Sequence, residues 1–359
     1  MSHNTVRLRL HGMTKHSVVV LGAGYGGLMA ALRAADQAEV TLIAPSSRFT
    51  ERVREHELAA GRPDITHPLS TFIRNKPVTH VAARATTIDP VRREVRTDDG
   101  GTYSYDRLVY ALGSRTKGYR GCGRVFTSEN ASYLRKRLDD GPGTLTVVGG
   151  SLTGIEMASE LASAARDWRV RMVTAGELGP SLSAKGRAHV RSVFAELGIA
   201  VREGQTVTPE EIDSDVVLWA ASMTPNTELA AEAGIALDSD GRVAVDATLR
   251  SVSYPDIYAV GDAAGARTET AGPLRMACAA ALPVGSRAGK NIALELRGRE
   301  PRPLSFRYYA QCVSLGRDNG LFQFVNADDS PKDTIVTGRL GALIKERVVR
   351  WTVFALRHA

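Results

Sequence analysis

Two stretches decide the fold: His16–Gly27, reading HSVVVLGAGYGG, and Thr144–Glu156, reading TLTVVGGSLTGIE. In the first, Val18-Val19-Val20-Leu21 is a wholly apolar, β-branched run, suited to a parallel strand buried on both faces. Gly22-Ala23-Gly24-Tyr25-Gly26-Gly27 follows at once, and Leu28–Ala35 reads as helix. This is G-x-G-x-x-G with a strand before it and a helix after it. Gly22 permits the tight turn, Gly24 lets a pyrophosphate approach the backbone, and Gly27 lets helix and strand pack closely. The helix start then offers free N–H groups and positive dipole to phosphates. The competing reading is a tight strand–helix turn that holds no ligand.

The second stretch repeats the unit 127 residues later, counted from Gly22 to Gly149. An apolar strand, Thr144–Val148, enters Gly149-Gly150-Ser151-Leu152-Thr153-Gly154, and a helix is expected to about Ala165, with a further strand at Arg169–Thr174. Two such units imply two dinucleotides that meet. Both depart from the standard pattern. The strand Glu39–Ile43 should end in an acid that grips a ribose hydroxyl, but Ala44-Pro45-Ser46 stands there, so Ser46, backbone or another segment must make that contact. Ser151 occupies the place of the second glycine, where its Cβ crowds a pyrophosphate or its hydroxyl bonds one. Thr174-Ala175-Gly176 again lacks an acid, and no arginine beside it favours a 2′-phosphate, so NADH and NADPH stay equally open. A vestigial second site is the alternative.

Further motifs come in order. Tyr105–Ser114 (YDRLVYALGS) is a strand ending at small residues, and Asp256–Ala264 (DIYAVGDAA) is a strand ending in Gly-Asp. Glu57-Leu58-Ala59-Ala60-Gly61 and Trp219-Ala220-Ala221 with Pro225-Asn226 complete the set. Together they resemble the two-dinucleotide-binding-domain flavoproteins, in particular type II NADH dehydrogenase-like and apoptosis-inducing-factor-like reductases, over about residues 17–317. The resemblance implies an α/β fold of two Rossmann-like domains with a small α+β C-terminal region. It implies FAD and NAD(P)H as cofactors. Gly22, Gly24, Tyr25, Gly26 and Gly27 would lie at the FAD pyrophosphate. Arg54 would reach the flavin phosphates, with a surface ion pair as the alternative, and Ala85 would present its backbone to the adenine. Gly113 would close the FAD pocket, and Asp262 would bond the ribitol. Gly149, Ser151, Thr153 and Gly154 would receive NAD(P)H, with Glu156 near the nicotinamide or, alternatively, simply exposed on its helix. Hydride would pass to the flavin, with a helix start near Met276–Ala279 stabilising its reduced ring, and electrons would leave to a quinone or other small acceptor. The segment Arg275–Pro283 lacks the family's quinone-bordering glutamine. No catalytic side chain is assigned and no metal is expected.

The domains expected are a flexible leader at 1–15, an FAD domain at 16–114 and 238–298, an inserted NAD(P)H domain at 115–237, and a C-terminal region at 299–359. The crossings fall in the turn-rich Gly113–Gly123 and Gly234–Gly241, and strands are expected at Phe306–Tyr309 and Leu321–Val325. From Gly338, Leu340, Leu343, Ile344, Val348, Trp351 and Phe354 share one helical face, with Arg339, Lys345, Arg347, Arg350 and Arg357 largely off it. Such a helix either docks that face on the protein's own core, the favoured reading, or lies in a membrane interface.

Composition bounds the rest. The 359 residues carry a formal charge of +7 and are 43% hydrophobic and 24% charged, the balance of a globular protein. Residues 1–15 contribute +3 and 296–359 contribute +5, leaving −1 for the body. Nucleic acid is therefore not an expected partner of the fold, and an anionic membrane or acidic partner is left as the charge-based inference. Cys122, Cys278 and Cys312 are too few and too scattered for a disulfide framework, a zinc site or a C-x-x-C dithiol, and Cys278 is core in the favoured reading and approaches the flavin in the alternative. The cysteines also disfavour a sulfide–quinone reductase. With no secretory signal, the protein is expected in the cytoplasm, with peripheral contact at the inner membrane face through 338–359 as the further option, as monomer or homodimer. The alternatives to an NAD(P)H oxidoreductase are a flavoprotein oxidase or tailoring enzyme with an impaired nicotinamide site, and a non-enzymatic FAD-binding redox sensor.

Overall fold

The computed structural model describes residues 16–62, 64–117, 123–164 and 167–359. The expected leader at 1–15, Cys122 and the expected helix end at Ala165 lie outside the described residues.

Two five-stranded parallel sheets carry the molecule. In the first, the order is Ile257–Ala259, Arg107–Tyr110, His16–Leu21, Ala38–Ile43, Val78–Val81. In the second, it is Val125–Thr127, Val216–Trp219, Gly143–Val148, Trp168–Val173, Ala200–Arg202. Strand for strand the two sheets correspond, with each glycine-loop strand in the centre. The central strands are sequestered as their apolar runs demand: Val18, Val20, Leu21, Leu145 and Val147 have no exposed surface. Parallel neighbours require crossovers, and the helices that provide them cover the sheet faces.

On the first sheet, helix Tyr25–Ala34 lies against the 18-residue helix Cys278–Glu295. Glycine permits their close approach. A Cβ on Gly285 would stand 2.2 Å from the Gly26 carbonyl oxygen, and one on Gly289 would stand 2.5 Å from that of Ala30. An antiparallel sheet of Ala85–Asp89, Glu94–Thr97 and Thr102–Ser104 is appended to this unit.

The units are joined by a two-stranded antiparallel ribbon, Ser114–Thr116 paired with Met223–Pro225. The return crossing therefore precedes the expected Gly234–Gly241 turns and the 237/238 boundary. Ala230 and Ile235 already belong to the first unit's core, so the inserted domain ends near 226. Asn226 fixes the junction, donating its side-chain amide to the Leu112 carbonyl at 2.8 Å and its backbone N–H to Gly113 at 2.9 Å.

The C-terminal region is an antiparallel sheet, Ala310–Ser314, Gly320–Val325 and Pro331–Thr337, followed by helix Gly338–Arg357. The expected strand at Phe306–Tyr309 does not form. Tyr308 is instead tied to loops: its N–H donates to Ala327 and its hydroxyl accepts from the Arg275 N–H.

The final helix reverses the favoured expectation. Leu340, Leu343, Val348, Trp351 and Phe354 are exposed, Trp351 by 61%. The buried face is Gly341, Lys345, Val349, Thr352, Val353 and Leu356. Gly341 lets the helix touch the strand beneath, since a Cβ there would meet the Gly320 carbonyl at 2.4 Å. The apolar stripe read from the sequence thus faces away from the protein's own core.

Candidate dinucleotide and acceptor sites

Each glycine loop is built by the same contacts. Gly22 has φ +100°, and its would-be Cβ lies 2.4 Å from the Ala111 carbonyl oxygen. Gly149 has φ +117°, with Ala220 and Ala221 backbone 3.0 Å away. A Cβ on Gly27 would stand 2.0 Å from the Gly22 carbonyl oxygen, and one on Gly154 would stand 1.9 Å from that of Gly149. These four glycines are required by the turn and by helix–strand contact. Gly24 differs: a Cβ there would meet no atom within 4 Å, and no side chain caps the helix that it opens. A glycine required by nothing in the protein, at an uncapped helix start, fits a pyrophosphate.

Gly26 faces inward toward Gly261, 3.1 Å from its would-be Cβ. Tyr25 is buried, with its ring edge-on to Phe49 at 5.0 Å and 87°. Burial, the Cys278 thiol and the Glu51 carboxylate hold its hydroxyl well above the usual range. Gly113 takes the left-handed conformation, φ +65°, in open space. Beside it, Ser114 Oγ donates to Asp262 Oδ2 at 2.6 Å. Asp262 is thereby held at the end of the Ile257–Ala259 strand, next to the chain crossing. Ala85, half-buried, begins the appended antiparallel sheet. Ser46, at the end of the second strand, has its hydroxyl bonded by the Arg48 N–H at 3.0 Å.

Arg54 is ion-paired in a largely buried cluster, not in the surface pair of the alternative reading. Its guanidinium reaches Glu57 Oε1 at 2.7 Å, Glu346 at 3.0 and 3.1 Å and Glu51 at 3.2 Å. These carboxylates push its pKa above the ordinary arginine value against the desolvation of burial. Every nitrogen of the guanidinium thus faces a carboxylate, and Arg54 staples its loop to the C-terminal helix.

Ser151 and Thr153 are exposed at the second loop, and the Ser151 carbonyl accepts the Ile155 N–H at 3.0 Å. Glu156 is not the exposed helix residue of the alternative reading. Its Oε1 accepts from the Ser314 N–H at 3.0 Å and from Lys345 Nζ, while Oε2 lies 3.8 Å from His56 Nδ1. Lys345 Nζ also lies 3.5 Å from His56 Nε2. Burial, helped by Lys345, Arg54 and Arg62, drives the His56 pKa well below the imidazole range, so the ring is neutral. Arg62 pairs with Glu160 one helical turn beyond Glu156. Glu160 is 1% exposed, and burial raises its pKa against the pull of Arg62.

This polar cluster joins the loop helix Glu55–Ala59, the second-domain helix Leu152–Ala164 and the final helix. A cleft of about 530 Å³ opens beside it, lined in part by Glu57, Arg62, Glu160, Ser314, Lys345 and Val349. Sequence reasoning missed His56, Arg62 and Lys345. Lys345 carried no signal in the sequence, because it lies off the apolar stripe and only the structure shows its face turned inward. Cys278 starts its helix half-buried, with its thiol pushed up to about 11 by burial, and Cys312 is pushed up to about 12. Both are thiols rather than thiolates at neutral pH.

Residues 16–281 match the pyridine nucleotide-disulphide oxidoreductase family. An NADH dehydrogenase-like protein of Mycobacterium tuberculosis is 30% identical over 348 residues, covering 85% of this chain and 87% of the relative. A type II NADH:quinone oxidoreductase of Staphylococcus saprophyticus is 25% identical, over 95% and 96% of the two chains. The structure of NDH2 from Plasmodium falciparum in complex with NADH superposes with a TM-score of 0.78 at 15% identity, over 96% of this chain and 98% of that one. With its duplicated sheets, paired glycine loops and Gly-Asp turn, the chain belongs to the pyridine nucleotide-disulphide oxidoreductase family as an FAD-dependent NAD(P)H oxidoreductase.

Proposed function

We propose that this enzyme reduces a quinone with electrons taken from a reduced nicotinamide nucleotide. The observation that carries the reading is the pair of glycine loops at matching positions of two like sheets, with Gly24 open and Asp262 held by Ser114 at the junction. FAD, when bound, accepts a hydride and releases electrons singly or in pairs. Gly22, Gly24 and Gly27 seat its pyrophosphate, Asp262 and Gly113 its ribitol side, and Ala85 its adenine. Gly149, Thr153 and Gly154 receive the nucleotide. The protein's task is orientation: holding two rings in contact supplies up to ~7–11 kcal/mol of the barrier in favourable cases.

Quinone reduction takes up two protons as well as two electrons. The cleft beside Lys345 is where the acceptor enters in this reading. Lys345 Nζ, shared between Glu156 Oε1 and His56 Nε2, is placed to donate to an acceptor oxygen. Glu156 holds that ammonium in position. The exposed stripe Leu340, Leu343, Val348, Trp351 and Phe354, flanked by Arg347, Arg350 and Arg357, rests on an anionic membrane and brings the cleft to a membrane-dissolved acceptor.

Steady-state turnover with NADH and a soluble quinone tests the reading. Lys345→Met combined with Glu156→Gln, which leaves no buried carboxylate unpaired, should lower kcat with quinone at least tenfold while leaving anaerobic flavin reduction unchanged. Equal loss in both steps would place Lys345 in folding or nucleotide binding instead.

A further inference from the structure

The second nucleotide site lacks the strand-end acid that ordinarily grips the adenosine ribose, yet a carboxylate stands at that corner. Strand Trp168–Val173 ends in Thr174-Ala175-Gly176, of which Ala175 and Gly176 are exposed, and a Cβ on Gly176 would meet nothing within 4 Å. The neighbouring strand Ala200–Arg202 pairs in parallel with it, Val173 opposite Arg202. Thr174 N–H donates to the Arg202 carbonyl at 2.9 Å and Gln205 N–H to the Thr174 carbonyl at 3.0 Å. Glu203 therefore sits level with Thr174, one strand over.

Its side chain turns back across the strand end. Glu203 Oε1 accepts the Leu178 N–H at 2.5 Å, and both oxygens accept from Arg191 at 2.9 Å. The segment it grips is tied to the glycine loop, since Gly179 N–H donates to the Gly150 carbonyl at 2.8 Å and a Cβ on Gly150 would lie 2.9 Å from Thr174 Oγ1. In the first sheet, the equivalent position after Val78–Val81 is Ala82, which carries no polar group. Two other cations stand near. Arg187 is occupied by the Leu182 carbonyl at 2.8 Å and lies 3.9 Å from Glu177, and Arg202 is exposed.

We infer that Glu203, presented from the adjacent strand, takes the place of the missing strand-end acid and selects NADH over NADPH, with Arg191 as the counter-ion that fixes it. A carboxylate accepts from the 2′- and 3′-hydroxyls of NADH and repels the doubly negative 2′-phosphate of NADPH. Removing the carboxylate leaves Arg191 free to meet that phosphate, so one substitution should both weaken the first nucleotide and strengthen the second. The inference rests on the second glycine loop binding a nicotinamide nucleotide, as proposed above.

The test is equilibrium binding of NADH and NADPH to the protein with its FAD already reduced by dithionite, followed anaerobically by nucleotide fluorescence, with NAD+ and NADP+ binding to the oxidised protein as redox-silent controls. Wild type should bind NADH at least tenfold more tightly than NADPH. Glu203→Gln should shift the ratio at least tenfold toward NADPH, and Arg191→Met in that background should abolish the gain. Glu203 and Arg191 form an exposed pair, so these variants should retain the wild-type melting temperature. A ratio within twofold of wild type in Glu203→Gln, or a wild type that binds the two nucleotides equally, would overturn the inference and leave the proposed function standing. No binding of either nucleotide by wild type would overturn both.

Discussion

The glycines at the first loop divide into two kinds, and the division is testable at single residues. Gly27→Ala drives a methyl into the Gly22 carbonyl, so it should cost the fold about 1–3 kcal/mol, the usual range for overpacking. The Cβ that Gly24→Ala adds meets no protein atom within 4 Å. The substitution should leave the melting temperature of the cofactor-free protein nearly unchanged while FAD content after purification falls at least tenfold. Equal destabilisation by both would mean that Gly24 serves the turn and not the cofactor. At the second loop, Ser151 is exposed, and Ser151→Gly should tighten NADH several-fold by removing the Cβ from the phosphate approach; an unchanged Kd would show that the loop does not touch phosphate there.

His56 gives a pH signature at the same scale. Its folded pKa lies well below the unfolded value, chiefly through burial and then through Lys345, Arg54 and Arg62. The unfolded chain therefore binds the proton first. Stability is fully present above the unfolded imidazole pKa of about 6.5 and is lost as pH falls below it. Denaturation midpoints between pH 7.5 and 5 should fall in wild type and fall less steeply in His56→Gln. Identical slopes would place the acid sensitivity elsewhere.

At the scale of elements, the sequence made the two nucleotide units plain because period and punctuation agree there: apolar runs, glycine turns and helices in fixed order. The expected strands differ from the observed His16–Leu21, Ala38–Ile43, Gly143–Val148 and Trp168–Val173 by a residue or two at their ends. What failed was context. Phe306–Tyr309 has the composition of a strand, but its hydrogen bonds are scattered over Thr268, Arg275, Val325 and Ala327 and form no ladder. The domain boundary was placed by turn residues at Gly234–Gly241, whereas the chain crosses earlier, in a ribbon of only three residue pairs that composition does not mark.

The final helix is the clearest instance. Its periodicity identified one apolar face, yet periodicity cannot say which way a face points. Gly341, Lys345 and Thr352 go inward because Gly320 needs a partner without a side chain and Glu156 needs a cation. The exposed stripe then requires its own partner. Co-sedimentation with vesicles containing anionic lipid should retain the wild-type protein, and Trp351→Glu with Phe354→Glu should release it without loss of FAD. Undiminished binding of the double variant would assign membrane contact to another surface.

At the scale of the whole molecule, the charge distribution and the architecture agree. The body is close to neutral, and the excess of basic residues lies in the two ends of the chain. Among the described residues, no helix is long and apolar enough to cross a membrane. The buried network of Glu156, Lys345, His56, Arg62 and Glu160 ties both dinucleotide units to the C-terminal region. Because Glu156 and Lys345 are both largely buried, with side chains 15% and 11% exposed, Lys345→Met should strand the carboxylate and destabilise the fold by up to ~3–5 kcal/mol, the cost of removing one partner of a buried pair. Lys345→Met with Glu156→Gln should recover much of it, as thermal unfolding would report.

The central claim is that the two loops bring a nicotinamide and a flavin together for hydride transfer. Anaerobic stopped-flow mixing of the FAD-loaded enzyme with NADH tests it most directly. The absorbance of the oxidised flavin should bleach within seconds, since enzymes typically turn over roughly 1–1,000 times per second, and added quinone should restore it. An oxidised flavin spectrum that persists in excess NADH and NADPH would contradict the account.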